Sequence, residues 1–600
     1  MQRRVNFVLR KKVIIWAVIV VAVIFVIKLF FIQILDDQYL LQSDNNSIRN
    51  VVLFPPRGMI YDRNGTLLVS NEIAYDVMVI PRMVKPMDTV LLCQMLDMSM
   101  ADFCRKLADA RQYSRYKASI IASQFSKEKA GVMQERLYQF PGFFLESRIT
   151  RLYDEKIAAH AIGYIGEVDN QDIEKDDYYR SGDYIGKSGI ELSYEKVLRG
   201  VKGKSVQLVD VHNRVKGFYK NGDYDVAPVL GDNIYMTLDA ELQKFAELLM
   251  NGKRGSITAI EPATGEVLVM VSTPSYNPNL LIGYDRSKNY RSLLIDPSKP
   301  LFNRAITAKY PPGSTFKMAN GLAALKEGVI TPSTCFSCSG PATQPIKCTH
   351  NHKSPLNFYE ALETSCNPYF WNVFRTFIER APYLTIADRY LRWRQYMWDM
   401  GFGHKFDSSD ILFQSSGNIP SDKYFDKYFG KGRWNAMTIR SLSIGQGEVE
   451  LTPLQMANYA ATLANRGFYL EPHLVKQIGL DSMLQFKRHS TGIDSSYYAA
   501  AVEGMWLVYN GHGTARYYRI PQLNLCGKTG TAQNPHGKDH SIFIAFAPKD
   551  NPKIAVSVVV ENGGFGTTWA APIGTLIIEQ YLLGETRETW YKNKMLNEHP

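Results

Sequence analysis

Four serines in this sequence have a lysine three residues downstream, and one of these pairs has the surroundings of a nucleophile with its own base. Residues three apart on a helix share a face, so the lysine lies beside the serine hydroxyl. A neutral lysine can then take the serine's proton. We interpret three of the pairs as solvated helix faces, and they are Ser114/Lys117, Ser126/Lys129 and Ser193/Lys196.

The fourth pair, Ser314 and Lys317, follows the run Pro311-Pro312-Gly313. Two prolines and a glycine do not continue a helix backwards, so a helix is predicted to begin here with Ser314 at its start. The positive end of the helix dipole lowers the pKa of a lysine and favours an oxyanion at this position. The context therefore predicts Ser314 as a nucleophile and Lys317 as its base.

Two further motifs follow in order along the chain. Ser365-Cys366-Asn367 supplies a second hydroxyl and an amide, and Lys528-Thr529-Gly530-Thr531 precedes an apolar run typical of a strand. Neither motif is specific alone, since Lys187-Ser188-Gly189 has the same form as the second. Their order after Ser314 makes the combination specific.

The elements that must position these motifs are strand pairs at both ends of the C-terminal region, with helices between them. One pair of apolar runs is joined by the turn sequence Pro262-Ala263-Thr264-Gly265, and a second pair lies at 542–562. A helix is expected at about Ala570 to Leu583. The pattern predicts an α/β domain over 226–585 and a tail at 586–600.

The N-terminal part predicts a membrane anchor. Residues 13–35 form an apolar run about 34 Å long as a helix, close to the roughly 30 Å of a bilayer core. Basic residues precede the run (Arg3, Arg4, Arg10, Lys11, Lys12) and Asp36 and Asp37 follow it. This bias predicts a cytoplasmic tail at 1–12, a single uncleaved span, and export of everything after it.

Residues 36–225 are predicted to form a separate β-rich unit next to the membrane. Asn64-Gly65 between two β-rich runs indicates a hairpin, and a charged, helical insertion is expected at about 84–150. A polar stretch at 209–225 marks the boundary to the C-terminal domain.

Composition narrows the class of protein. The chain has 600 residues, 45% of them hydrophobic, a formal charge of +11 and a pI of about 9.0. These values are typical of a globular protein rather than of a multi-span membrane protein. Because no nucleic-acid-binding motif accompanies the positive charge, we interpret it as a bias toward the membrane surface and expect no nucleic-acid partner.

The three motifs, in this order, resemble those of the penicillin-binding proteins and serine β-lactamases. The resemblance implies a penicillin-binding, β-lactamase-like fold in which Ser314 becomes acylated. It further implies that Lys317 accepts the proton of Ser314 and that Ser365 relays a proton to the leaving amine.

The same resemblance implies the substrate-binding residues. Asn367 is expected to hold a substrate amide, while Lys528, Thr529 and Thr531 bind the donor peptide and its carboxylate. The backbone N–H groups of Ser314 and Thr531 are expected to form the oxyanion hole. Gly530, which has no Cβ, is expected to let the substrate backbone approach the strand.

Two more segments extend the resemblance to class B penicillin-binding proteins: residues 57–65 and 182–200 are similar to signatures of their pedestal, or dimerisation-type, domain. The resemblance is to elongation-type members more than to division-type ones. It implies a peptidoglycan D,D-transpeptidase that cross-links stem peptides and is inhibited by β-lactams. The alternatives are a division-type transpeptidase and an inactive β-lactam-binding scaffold or sensor.

Membership of this family implies partners and a location. The partners are peptidoglycan stem peptides, lipid-linked glycan strands, a SEDS-family glycosyltransferase of the RodA type and other elongation-complex proteins. The chain is expected in the inner membrane, with its N-terminus cytoplasmic and its bulk periplasmic. No cofactor is required for catalysis.

A cluster of cysteines and histidines lies between Ser314 and Ser365. Five of its residues are candidate ligands of a structural zinc ion, of which four could close a tetrahedral site: Cys335, Cys338, Cys348, His350 and His352. The set predicted is Cys335, Cys338, Cys348 and His350. The spacing lacks the second ligand pair of familiar zinc modules, and export permits a disulfide instead. Zinc, a disulfide and free thiols therefore all remain open.

Overall fold

The computed structural model describes residues 7–30, 48–209, 215–380, 385–480 and 482–600. The chain folds as two compact units. The smaller unit comprises Met1–Pro56, Tyr75–Ser147 and Gly200–Gly231, and the larger unit comprises Arg57–Ala74, Arg148–Arg199 and Asp232–Pro600. Two strands, Leu67–Val79 and Phe143–Tyr153, contribute residues to both units. The predicted domain boundaries, 36–225 and 226–585, stay predictions.

The smaller unit begins with the apolar helix Phe7–Phe30. Its stretch Arg10–Phe30 is 21 residues long, and by length and composition it can cross a membrane. The helix contains residues 13–30 of the predicted span. The rest of that span, together with Arg3, Arg4, Asp36 and Asp37, lies outside the described residues.

A small antiparallel sheet follows in the same unit. It contains the strands Ile48–Leu53, Gly203–Val209 and Val215–Phe218, in that spatial order. Part of the predicted boundary stretch, 210–214, lies outside the described residues. The region where a helical insertion was expected contains these further elements: helices Thr89–Leu96, Met100–Tyr113 and Lys127–Arg136, and strand Ser119–Phe125.

The larger unit contains a five-stranded antiparallel sheet. Its spatial order is Val267–Thr273, Gly255–Ile260, Ile554–Val560, His540–Ala547 and Cys526–Ala532. The turn predicted at 262–265 joins the first two of these strands, and this prediction is confirmed. The strand that carries the Lys-Thr-Gly motif lies at the edge of the sheet.

Helices cover both faces of this sheet. Side chains alternate along the strands, so Ile257, Val269 and Val558 belong to one hydrophobic core and Ile260, Met270 and Val559 to the other. The first core is closed by helices Ala240–Leu249, Ala570–Leu583 and Trp590–Asn597. The second is closed by helices Lys317–Lys326, Phe358–Glu363, Asn367–Glu379, Ile386–Asp399, Asp422–Phe429, Pro453–Ala464 and Ser495–Asn510. The predicted α/β fold is confirmed.

Shorter elements complete the larger unit. The strands are Ile60–Tyr61, Ile165–Glu167, Tyr184–Gly186, Ile234–Met236, Phe468–Leu470, Val475–Ile478, Ser482–Met483 and Arg488–Ser490. The helices are Ala159–Ile162, Asn170–Lys175, Gly189–Ser193, Glu195–Leu198 and Arg286–Ile295. The hairpin predicted at Asn64-Gly65 is confirmed, since Ile60–Tyr61 pairs antiparallel with Leu67–Val79.

A buried ion network joins the loop at Arg57, the strand Phe143–Tyr153 and the helices Gly189–Ser193 and Glu195–Leu198. Arg57 contacts Glu191 at 2.8 Å and Glu195 at 2.7 Å, and Arg151 contacts Glu191 at 2.7 Å. The side chains of Arg151 and Glu191 are fully buried. Burial alone would raise the pKa of Glu191, but Arg151 and Arg57 outweigh that effect and lower it. The network therefore balances buried cations with buried carboxylates.

Candidate active site

The predicted nucleophile lies in a tight turn that leads into a helix. A 3₁₀ turn, Gly313–Phe316, runs directly into the α-helix Lys317–Lys326. Gly313 has φ +57°, and a Cβ built on it would lie 2.5 Å from the carbonyl oxygen of Thr531. Only glycine fits this close approach. The break predicted before Ser314 therefore also packs the nucleophile turn against the strand Cys526–Ala532.

Lys317 is fully buried and contacts the second motif. Its Nζ donates to the carbonyl oxygen of Ser365 at 2.6 Å, to Oδ1 of Asn367 at 2.6 Å and to Oγ of Ser365 at 3.2 Å. Burial lowers the pKa of Lys317 to about 7. Near neutral pH a large fraction of this amine is therefore free to accept a proton.

Lys528 reaches the same hydroxyl from the edge strand. Its Nζ donates to Oγ of Ser365 at 2.8 Å, and Lys528 is fully buried. Burial and repulsion from Lys317 lower the pKa of Lys528 well below its ordinary value. Because Oγ of Ser365 accepts from both lysines, its own proton remains available for donation. Ser365 has the left-handed φ of +58°, which is strained for a residue other than glycine.

The three predicted motifs thus meet at one hydroxyl, that of Ser365. Among the described residues, Lys317 makes no hydrogen bond to Ser314, because its Nζ is engaged by Ser365 and Asn367. Within the described part of the chain, the hydroxyl of Ser314 makes no hydrogen bond. It is partly exposed and free to meet a substrate.

Asn367 begins the helix Asn367–Glu379, and its side chain is used twice. Oδ1 accepts from Lys317, and Nδ2 donates to the carbonyl oxygen of Lys347 at 3.0 Å. The side chain holds the lysine and the loop before the helix. Its predicted contact with a substrate amide stays a prediction.

The edge strand presents its threonines next to the nucleophile turn. The hydroxyls of Thr529 and Thr514 lie 2.7 Å apart, and the amide of Gly566 donates to Oγ1 of Thr531 at 3.4 Å. A Cβ on Gly530 would lie 2.9 Å from the carbonyl oxygen of Pro312. The structure thus shows a second reason for a glycine at position 530, which the sequence did not indicate: a side chain here would clash with the nucleophile turn.

Gln446, in the run Gly445-Gln446-Gly447, has a clear position in the structure. Its Nε2 donates to the carbonyl oxygen of Thr531 at 2.7 Å, and its Oε1 accepts from the amide of Gln533 at 3.3 Å. The carbonyl of its neighbour Gly445 accepts from the amide of Gly313 at 2.8 Å. Residues 445–446 therefore bind both segments that carry the predicted oxyanion-hole groups.

The predicted zinc ligands need a correction. The side chains that converge are those of Cys338, Cys348, His352 and Cys366, with ligand atoms all within 4.8 Å of one another. Cys338 and Cys348 belong to the predicted set and His352 was the fifth candidate, whereas Cys366 was not predicted and takes a place in the cluster that Cys335 and His350 do not.

Local structure explains this difference. The thiol of Cys335 is exposed and donates to the carbonyl oxygen of Ser333 at 3.3 Å. His350 is half-buried, and its Nδ1 lies 3.2 Å from the hydroxyl of Thr349. Cys366 directly precedes the helix Asn367–Glu379, and its thiol lies next to those of Cys338 and Cys348. The spacing of the cysteines in the sequence does not reveal that these thiols are close.

The four converging donors suit a zinc ion. Zinc favours four thiolate and imidazole ligands in a tetrahedron, with bonds of about 2.0–2.3 Å. Nδ1 of His352 lies 2.7 Å from the carbonyl oxygen of Lys353, which fixes the ring so that Nε2 faces the thiol of Cys348 at 3.2 Å. The hydrogen bond between the two thiols lowers the pKa of Cys348 and raises that of Cys366, so without a metal ion the pair favours one thiolate and one thiol. The four ligand atoms would need to move only slightly closer together to bind the ion.

Comparison with known proteins gives the context of this site. The penicillin binding protein transpeptidase domain matches residues 255–579, and the penicillin-binding protein dimerisation domain matches residues 52–236. The chain is 33% identical over 590 residues to the peptidoglycan D,D-transpeptidase MrdA of Escherichia coli K12, covering 91% of this chain and 89% of that relative.

Two solved structures are similar over almost their full length. The complex of penicillin-binding protein PBP2 with MreC from Helicobacter pylori gives a TM-score of 0.72 at 26% identity, covering 90% of this chain and 99% of that chain. PBP2 of Pseudomonas aeruginosa, solved in complex with WCK 5153, gives 0.66 at 28% identity, with 90% and 99% covered.

Proposed function

The chain belongs to the class B penicillin-binding proteins and is similar to penicillin-binding protein 2. From this premise we propose that Ser314 is the acylated nucleophile of an elongation-type peptidoglycan D,D-transpeptidase. The observation that carries the assignment is the meeting of Lys317, Lys528 and Ser365 at one buried hydroxyl. This geometry supplies a proton acceptor and a proton donor beside the nucleophile turn.

The first half-reaction forms an ester. Neutral Lys317 takes the proton of Ser314, and Oγ attacks the carbonyl carbon of the penultimate D-alanine of a donor stem peptide. The N–H groups of Ser314 and Thr531 stabilise the oxyanion of the tetrahedral intermediate. When the C–N bond breaks, Ser365 donates its proton to the departing D-alanine amine and regains one from protonated Lys317.

The second half-reaction reverses these transfers. The amine of a neighbouring stem peptide attacks the ester, loses a proton through Ser365 to Lys317, and expels Ser314, which is reprotonated. Lys528 and the hydroxyls of Thr529 and Thr531 bind the donor at its terminal carboxylate. A β-lactam imitates the donor and leaves an acyl ester on Ser314.

A cross-linking assay tests this function. The purified chain is incubated with a stem peptide ending in D-Ala-D-Ala and an amine acceptor, and released D-alanine and cross-linked product are measured. We expect both from the wild type and neither from Ser314→Ala. Product formation that does not depend on Ser314 would contradict the proposal.

We further propose a structural zinc ion at Cys338, Cys348, His352 and Cys366. When bound, the ion would link the loop at 338–352 to the start of the helix Asn367–Glu379, next to Ser365. Metal analysis of the purified chain should find one zinc per molecule, and less in Cys348→Ser. The matched control is Cys335→Ser, which should retain the metal. A disulfide found between Cys348 and Cys366 would contradict the zinc site.

The protein's partners belong to the elongation complex and its substrate is peptidoglycan. We propose a RodA-type glycosyltransferase of the SEDS family as its direct partner. We also propose a single-pass location in the inner membrane, with the N-terminus cytoplasmic and the bulk of the chain periplasmic. Affinity purification of the full chain should recover that glycosyltransferase. Recovery of a division-specific glycosyltransferase instead would contradict the elongation role.

A further inference from the structure

Exposed apolar side chains are concentrated in one part of the smaller unit, which we call the neck surface: residues 48–56, 200–209 and 215–230. Scattered exposed apolar residues are normal, but a contiguous group marks a site of interaction. Nine large apolar side chains of the neck surface are 49% to 63% exposed, and they are Val52, Phe54, Val201, Val215, Phe218, Tyr224, Val226, Val229 and Leu230.

The pairing of the small sheet places several of these residues together. Val52 lies directly opposite Lys204, and Lys204 lies opposite Val226 on its other side. Residues directly opposite on antiparallel strands point to the same face. Val201 and Val229 form a further such pair. Val52, Lys204 and Val226 therefore form a row on one face of the sheet, whereas Phe218 lies opposite Gln207 and points to the other face.

Lysines lie over the aromatic rings of the same surface. Nζ of Lys202 is 5.3 Å from the ring centre of Phe54, and Nζ of Lys220 is 5.5 Å from that of Tyr219 and 5.3 Å from that of Tyr224. Aromatic side chains and lysines with apolar stems are typical of residues at the boundary between water and lipid.

The charge of the neck surface is also asymmetric. The described part of 200–230 contains four lysines, at 202, 204, 216 and 220, and two aspartates. One aspartate, Asp225, is turned inward: it accepts from Ser205 at 3.0 Å and from the amide of Val206 at 2.6 Å. The positive side chains therefore outnumber the exposed negative ones, which suits a surface of phosphate groups.

Chain continuity points to the bilayer as the occupant. The helix that can cross a membrane ends at Phe30, and the first strand of the neck surface begins at Ile48 in the same compact unit. The intervening residues reach at most about 60 Å when fully extended. The neck surface therefore lies at most about 60 Å from the point where the helix Phe7–Phe30 ends.

We propose that the neck surface rests on the outer face of the phospholipid bilayer, with its lysines at the headgroup phosphates and its aromatic and aliphatic side chains in the interfacial layer. The proposal depends on the proposed membrane anchoring and adds a second, peripheral contact to the single span. It gives the exported part of the chain a defined attachment to the membrane.

Photochemical labelling of the full chain tests this contact. The chain is placed in nanodiscs of phosphatidylethanolamine and phosphatidylglycerol that contain a diazirine-bearing phospholipid, and labelled peptides are mapped by mass spectrometry. We expect labelling of the helix at 7–30 and of peptides from the neck surface, and none around Tyr138, which is 80% exposed in the same unit. Labelling confined to the helix overturns the proposal.

A pair of variants separates lipid contact from folding and catalysis. Val226→Asp should reduce labelling of the neck peptides at least threefold, while Val132→Asp, the same change at a valine that is 62% exposed elsewhere in the same unit, should not. Reaction of Ser314 with a fluorescent penicillin reports the active site independently. If Val226→Asp leaves neck labelling unchanged while the penicillin still reacts, the neck surface does not bind lipid and the transpeptidase assignment stands.

Discussion

Two groups of buried cations lie in the larger unit, and only one is balanced by carboxylates. Arg57 and Arg151 contact Glu191 and Glu195 at 2.7–2.8 Å. Lys317 and Lys528 instead share the neutral hydroxyl of Ser365. Among the described residues, neither lysine contacts a carboxylate.

This difference distinguishes the arginine–glutamate network, which has a structural role, from the two lysines at Ser365, which we propose act in the reaction. Arg151 and Arg57 lower the pKa of Glu191, so this buried carboxylate keeps its charge. Unpaired buried lysines lose theirs easily, and burial brings the pKa of Lys317 to about 7. A strained backbone at Ser365 accompanies the second cluster. The balanced network holds segments together, whereas we propose that the unbalanced one moves protons.

Removing the base should cause the largest loss of activity. Lys317→Met keeps much of the side-chain volume but has no amine, so acylation by penicillin should slow by about 10²- to 10⁴-fold, the usual effect of losing a general base. Stopped-flow acylation measures the rate. The control is Lys326→Met at the exposed end of the same helix, which should react like the wild type.

Breaking the balanced network should reduce stability instead. Glu191→Ala leaves two buried arginines without their shared carboxylate, which should lower the free energy of unfolding by about 3–5 kcal/mol. The shift in thermal midpoint measures this loss. Glu450→Ala, which removes an exposed partner of Lys309, should cost about 0–1 kcal/mol. Equal shifts in the two variants would contradict the comparison.

The pH dependence sharpens the comparison further. Lys317 must be neutral to accept a proton, so the acylation rate should fall about tenfold for each unit below its pKa of about 7 and level off above it. The rate is measured over a series of buffers in which the fold is checked by circular dichroism. A rate that keeps rising up to the ordinary lysine pKa would show that Lys317 is not perturbed.

Gln446 should have the smallest effect of the residues that position the site. Gln446→Leu removes the hydrogen bond to the carbonyl of Thr531, worth roughly 1 kcal/mol, so acylation should slow by about tenfold or less. Because the residue holds the oxyanion-hole strand, we expect the loss in the acylation step and not in initial binding. Gln395→Leu, on an exposed helix face, is the matched control.

Much of this site was predictable because its signals are local. The Pro-Pro-Gly break before Ser314 and the apolar run after Lys528 indicate a turn and a strand by themselves. The left-handed backbone of Ser365 and the contact of Gln446 with Thr531 were not predictable, since both depend on segments far apart in sequence. The same reason explains the zinc ligands, where Cys366 comes from the catalytic motif and not from the cysteine-rich loop.

The most direct test of the account is the site of covalent modification by penicillin. The purified chain is reacted with the antibiotic, digested and analysed by mass spectrometry. We expect one penicillin per molecule, located on the peptide that contains Ser314, and no adduct on Ser314→Ala. An adduct on another residue, or unchanged labelling of Ser314→Ala, would contradict the assignment of Ser314 as the nucleophile.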